Sequence, residues 1–222
     1  MSIRYLIIIA AFWLSQPAVG QQINTGGDPK VDAVNFINNT LRGFNGNTVR
    51  FQALRLGLEE MHPFDAAHLD TTSIFDNLNS LSKYQQFLET FRQKTTGMLR
   101  RVTDSVGLLE SRLGDTIHWK AIDRFFKNFQ EESKLYVQYS LKLSNQVMAT
   151  RSALIFLQTN GFDAGPDGVM VHGGKANEDL YQAQLNKIRG AAVQASDAFS
   201  ATVDGTSKSN ELVLGVLETL SK

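Results

Sequence analysis

Two short stretches hold side chains able to bind a metal ion. HPFDAAHLD (62–70) places His62, Asp65, His68 and Asp70 within one turn-like segment. NGFDAGPDGVMVHGGK (160–175) places Asp163, Asp167 and His172 among five glycines. Imidazole nitrogens mixed with carboxylate oxygens suit zinc or a similar ion, so His62, His68, Asp163, Asp167 and His172 are the candidate ligands. The second stretch also holds Val169, Met170 and Val171, apolar residues in a region otherwise made of turn formers. Apolar groups in a polar surround mark these three residues as a candidate contact for a protein partner. Other patterns carry less. DAGPDG (163–168) opens like a calcium loop, but Gly165 takes the third ligand position and Gly174 the twelfth, so the bidentate carboxylate is missing. VHGGK (171–175) has the glycines of an anion loop without the Ser or Thr after the lysine. No nucleophile elbow, phosphate loop or dinucleotide fingerprint occurs, so neither an enzyme nor a cofactor is expected.

The elements that must position these residues are helices. Asp28-Pro29 reads as an N-cap followed by proline at the first helical position. Val31, Val34, Ile37 and Leu41 then recur at helical spacing, and Gly43 is placed to end that helix. Asn47 is placed to cap a second short helix with Phe51, Leu54, Leu58 and Met61 on one face, limited by Pro63.

Heptads dominate from about Thr71 onward. One track holds Ile74, Leu81, Leu88, Thr95, Val102 and Leu109, the other Tyr84, Phe91 and Met98. Gly114-Asp115 supplies a stop and a new cap, with Asp115 as the capping residue. The pattern resumes through Ile122, Phe129, Tyr136, Leu143, Thr150 and Leu157, and Asn160-Gly161 closes it. A third long stretch runs from about Asn177 to Ser221 through Tyr181, Leu185, Ile188, Ala195, Thr202, Ser209, Val213, Val216 and Leu220.

Folding the chain about Asp115–Thr116 sets Val102 opposite Phe129, Leu109 opposite Ile122, and Met98 opposite Ser133. Large then meets small, as a filled core requires. The fold class read from these patterns is all-α: an elongated antiparallel bundle of three long helices plus two short N-terminal helices. In such a bundle 62–70 and 160–175 meet at one pole. Glu59-x-x-His62 and Asp115-x-x-His118 share the spacing of di-iron bundles, but a long helix would hold them ~60 Å apart. Phe125 lies beside the heptad seam and is expected to touch a further helix. Small residues along the last long helix predict that its C-terminal half is labile.

The N-terminus and the composition bear on location. Arg4, the apolar run Tyr5–Leu14 and the small residues Ala18 and Gly20 read as an export signal cleaved before Gln21. Its apolar run of about 10 residues spans ~15 Å as a helix, half of a bilayer core. Residues 21–27 then form a flexible lead-in, and 28–222 a single domain with 160–175 as its tip. The chain has no cysteine, so packing without disulfides must hold the fold. Basic and acidic residues balance at 22 each, which leaves no net field to gather nucleic acid. No later segment is apolar enough for stable transmembrane insertion.

The signal end QPAVG-QQ, the long heptad helices and the insertion at 160–175 together resemble the periplasmic minor-pilin and conjugal-transfer proteins of type IV secretion systems. The resemblance implies a non-enzymatic interaction or assembly component of the cell envelope, exported to the periplasm or beyond, with protein partners. It carries over no functional residue. The alternative from the residues themselves is a periplasmic bundle that binds a metal or small ligand through 62–70 and 160–175.

Overall fold

A computed structural model describes residues 27–60, 71, 73–114, 116–165 and 168–221. The fold is all-α. Among the described residues, four helices are α1 (Pro29–Glu60), α2 (Ile74–Leu113), α3 (Ile117–Asn160) and α4 (Lys175–Leu220). Between α3 and α4 stand two short strands, β1 (Phe162–Gly165) and β2 (Gly168–Val171). None of these helices is long and apolar enough to cross a membrane.

The helix ends follow from local chemistry. Asp28 Oδ1 accepts the backbone N–H of Lys30 at 2.9 Å, which caps α1 ahead of Pro29. Ser73 precedes α2 and donates its hydroxyl to Asp76 at 2.5 Å. Gly114 closes α2 with φ 57, and its N–H reaches Glu110 O at 3.1 Å. At the start of α3 the Thr116 hydroxyl accepts the Trp119 N–H at 3.2 Å. Asp115 itself lies outside the described residues.

The two short N-terminal helices of the sequence reading are one helix of 32 residues. Gly43, read as a stop, and Asn47, read as a cap, both lie inside it. An internal glycine costs about 1 kcal/mol relative to alanine, and packing outweighs that here. Ala33, Phe36, Ile37, Phe44 and Phe51 are all buried. At Gly43 α1 lies against α2: a Cβ there would stand 3.6 Å from Met98 Sδ, an ordinary van der Waals contact. The helix is rotated relative to the expected face: Val31 is exposed, and Val34 and Leu41 are half-buried.

The chain divides into two compact units, each assembled from separated segments. The first takes residues up to Phe51, Gln93–Tyr136, and Val203 onward. Its core is aromatic. Phe44 meets Phe129 at 5.2 Å and Tyr136 at 5.4 Å between ring centroids, both edge-on. Phe36 meets Phe125 edge-on at 6.4 Å, so Phe125 does touch a further helix. These pairs advance together along both chains, so α1 runs parallel to α3 here. Asp32 with Arg112 and Gly43 with Met98 run in opposite senses, so α1 is antiparallel to α2. On α4, Ser209 accepts from Asn128 at 2.7 Å and Thr206 donates to Glu132 at 2.8 Å, again antiparallel.

The second unit takes Gln52–Arg92 and Val137–Thr202. Here Gln85 donates to the Ser144 hydroxyl at 2.6 Å, and Arg92 to the Ser140 hydroxyl at 3.2 Å. That is the register of a hairpin between α2 and α3. Tyr139 packs on Phe199 at 5.5 Å and Phe156 stacks on Tyr181 at 6.5 Å, so α4 descends antiparallel beside α3. The heptad tracks are the core in both units. Leu88, Phe91, Met98, Val102 and Leu109 are buried on α2, and Ile122, Phe129, Ser133, Ser140 and Leu143 on α3.

Candidate functional site

The site with the most distinctive chemistry is the β-hairpin between α3 and α4. Gly161 ends α3 with φ 75, and its N–H bonds Leu157 O at 3.0 Å. The chain then pairs Phe162 with Val171, Asp163 with Met170, Ala164 with Val169 and Gly165 with Gly168. The His172 N–H extends the ladder to Gly161 O at 3.0 Å. Alternate residues of a strand face opposite sides. Asp163, Met170 and His172 therefore share the outer face, and Phe162, Val169 and Val171 the inner one.

On the outer face, His172 Nε2 lies 3.0 Å from Asp163 Oδ2. Both side chains are more than half exposed, so the pair is solvated and weak as an ion pair. The imidazole ring crosses Gly161: a Cβ at that position would come within 2.8 Å of His172 Nδ1. Two asparagines fasten the base of the hairpin. Asn177 Nδ2 donates to His172 O at 2.7 Å and to Asn160 Oδ1 at 3.4 Å. The Asn160 amide in turn donates to Phe156 O at 2.8 Å. The sequence marked Asn160 and Asn177 only as helix boundaries, because a side-chain bond across the hairpin leaves no spacing signal.

The three apolar residues of the hairpin separate. Met170 is 62% exposed, Val169 is half-buried, and Val171 is only 2% exposed. Val171 is thus a core residue and not part of an exposed contact. The strand alternation that turns Met170 outward turns Val171 in. Of the metal candidates, Asp163 and His172 come together, while His62, His68 and Asp167 lie outside the described residues. Among the described residues no group of three or more metal-ligating side chains forms.

No family model matches this chain, and neither a curated protein nor a solved structure matches it.

Proposed function

We propose that the protein is a non-enzymatic, exported helical bundle that acts as an interaction or assembly component of a cell envelope. On this reading the leader ends at Gly20, and the role resembles that of type IV secretion and conjugation components. The supporting observation is the hairpin. A connection between packed helices usually needs 2–8 residues, yet this one forms an ordered sheet. It turns Met170, a flexible and polarisable side chain suited to adaptable contacts, outward beside a polar pair. A photo-crosslinking residue at position 170 should give one discrete envelope-protein adduct in the native cell. The same probe at exposed Lys83 should give none. Protein that stays in the cytoplasm with Met1–Gly20 attached, or equal labelling from both positions, would defeat the reading.

A second reading rests on the Asp163–His172 contact at 3.0 Å. Here the pair contributes two ligands of a zinc-type site, with His62, His68 and Asp167 as the further candidates. Zinc titration of the intact protein should then saturate, and binding should be lost in His172→Ala and in His68→Ala. Absence of saturable binding removes this reading and leaves the first untouched.

A further inference from the structure

The chain holds two Asn-Gly pairs, Asn45-Gly46 and Asn160-Gly161. This dipeptide is chemically weak, because glycine has no Cβ to keep its nitrogen away from the preceding side-chain amide. The two pairs sit in different surroundings. Asn45-Gly46 lies inside α1, with buried Phe44 before it and buried Thr48 and Phe51 after it. Asn160-Gly161 lies at the end of α3, where the helix gives way to the hairpin.

Hydrogen bonds hold this second junction closed. The Gly161 N–H donates to Leu157 O at 3.0 Å, which ties the nitrogen into the last helical turn. The Asn160 amide donates to Phe156 O at 2.8 Å and so points back along α3. Asn177 donates to Asn160 Oδ1 at 3.4 Å and to His172 O at 2.7 Å, and thus joins the end of α3 to the end of β2. Its amide fills the space over Gly173, where a Cβ would clash with Asn177 Nδ2. Opening the base of a hairpin costs less than opening the packed interior of a helix.

We propose that Asn160 is a deamidation site, guarded by Asn177 and uncovered each time the base of the hairpin opens. In the open state, base removes the Gly161 N–H proton and the nitrogen attacks Asn160 Cγ. The new Cγ–N bond closes a cyclic imide, and the side-chain nitrogen leaves as ammonia. Water then opens the imide. Breaking the Cγ–N bond leaves aspartate. Breaking the backbone C–N bond leaves isoaspartate, with the chain rerouted through Cγ and one carbon longer. Either product disturbs the hairpin. A carboxylate has no N–H for Phe156 O and stands at the negative end of the α3 dipole. The extra carbon of isoaspartate shifts Gly161, whose carbonyl accepts the His172 N–H at 3.0 Å. The change is one-way, so the hairpin loosens as the molecule ages.

Intact protein incubated at mildly alkaline pH, then digested and mapped by mass, should show amide-to-acid conversion at position 160 well before position 45. In the urea-unfolded chain the two positions should convert at similar rates, since the dipeptide is the same. Asn177→Ala should speed conversion at 160 roughly tenfold, the scale of one net hydrogen bond on a local opening equilibrium, and leave position 45 unchanged. Asn177→Asp keeps the side-chain shape but has no N–H to donate, and should speed it as well. Helix content of both variants should match the parent, because Asn177 is only half-buried. Asn160→Asp should speed deuterium exchange of the His172 amide without any incubation. Conversion at 45 level with or ahead of 160 in folded protein would overturn the proposal. So would a rate at 160 indifferent to both Asn177 variants. Unaltered His172 exchange in Asn160→Asp would overturn the loosening of the hairpin.

Discussion

Gly161 shows how much of the hairpin depends on one residue type. Its φ of 75 is strained for any side chain, and the His172 ring occupies the place of a Cβ. Gly161→Ala should cost about 1–3 kcal/mol, seen as a lower thermal midpoint, and should displace His172 from Asp163. Gly165→Ala meets open space and is the control. Tyr181 offers a second residue-scale test. Burial raises its phenol above the ordinary value of 10.0, because the interior disfavours the phenolate. Its stabilising contribution is complete below pH 10, where the phenol is neutral folded and unfolded. It is lost as pH climbs through the raised folded value. Tyr181→Phe should therefore flatten the alkaline end of a stability–pH curve and leave the neutral region nearly unchanged. Asp163 and His172 were both legible as polar residues in a glycine-rich loop. Their pairing was not, because it depends on a strand register that four-residue strands barely announce.

At the scale of elements, α4 is the least uniform helix. Its N-terminal half buries Tyr181, Leu185 and Ile188, whereas its C-terminal half presents Thr206 and Ser209 to α3 and bonds the buried Thr202 hydroxyl back to Ala198 O and Phe199 O. These small residues are not loosely packed. Asn128 donates to Ser209, Thr206 to Glu132, and Tyr136 Oη stands 3.3 Å from Thr206 Oγ1. Each such bond contributes only about 1 kcal/mol net, less than the ~1.5–3 kcal/mol of a buried leucine. Amides of 202–214 should therefore exchange with deuterium faster than those of 84–102 in the isolated protein. Equal protection would mean that the hydrogen-bonded seam holds as firmly as an apolar one. The heptads made the seam visible in the sequence, but the hydrogen-bond partners came only from the pairing of α3 with α4. Within the second unit, spin labels at Lys83 and Asn145 should lie within about 20 Å, because packed helices stand 8–10 Å apart.

The molecule as a whole poses the question of where it works. The leader pattern predicts that protein recovered outside the cytoplasm begins at Gln21. An intact mass that retains Met1–Gly20 would contradict this. Arg112 donates to Gly27 O and to Asp32 Oδ2, both at 2.7 Å, and so ties the start of α1 to the end of α2. Arg112 occupies a position on the heptad track of α2 where a hydrophobe would be usual. Its partner in α1 is 80 residues away in sequence, and spacing within α2 could not have named it.

Periodicity alone determined the helices of α2, α3 and α4 and most of their buried positions. A seven-residue apolar repeat leaves a long helix few other ways to bury its face. Sequence also marked the turns at Gly114 and Gly161, since the left-handed conformation that ends a helix favours glycine. It could not settle the N-terminal region. Gly43 and Asn47 match helix ends locally, whereas the aromatic packing of Phe36, Phe44 and Phe51 against α3 favours a continuous α1. Tertiary structure likewise decided that Val171 is core and Met170 is surface. An apolar triplet has the same composition in either strand phase, and the phase follows from where the hairpin meets the helices.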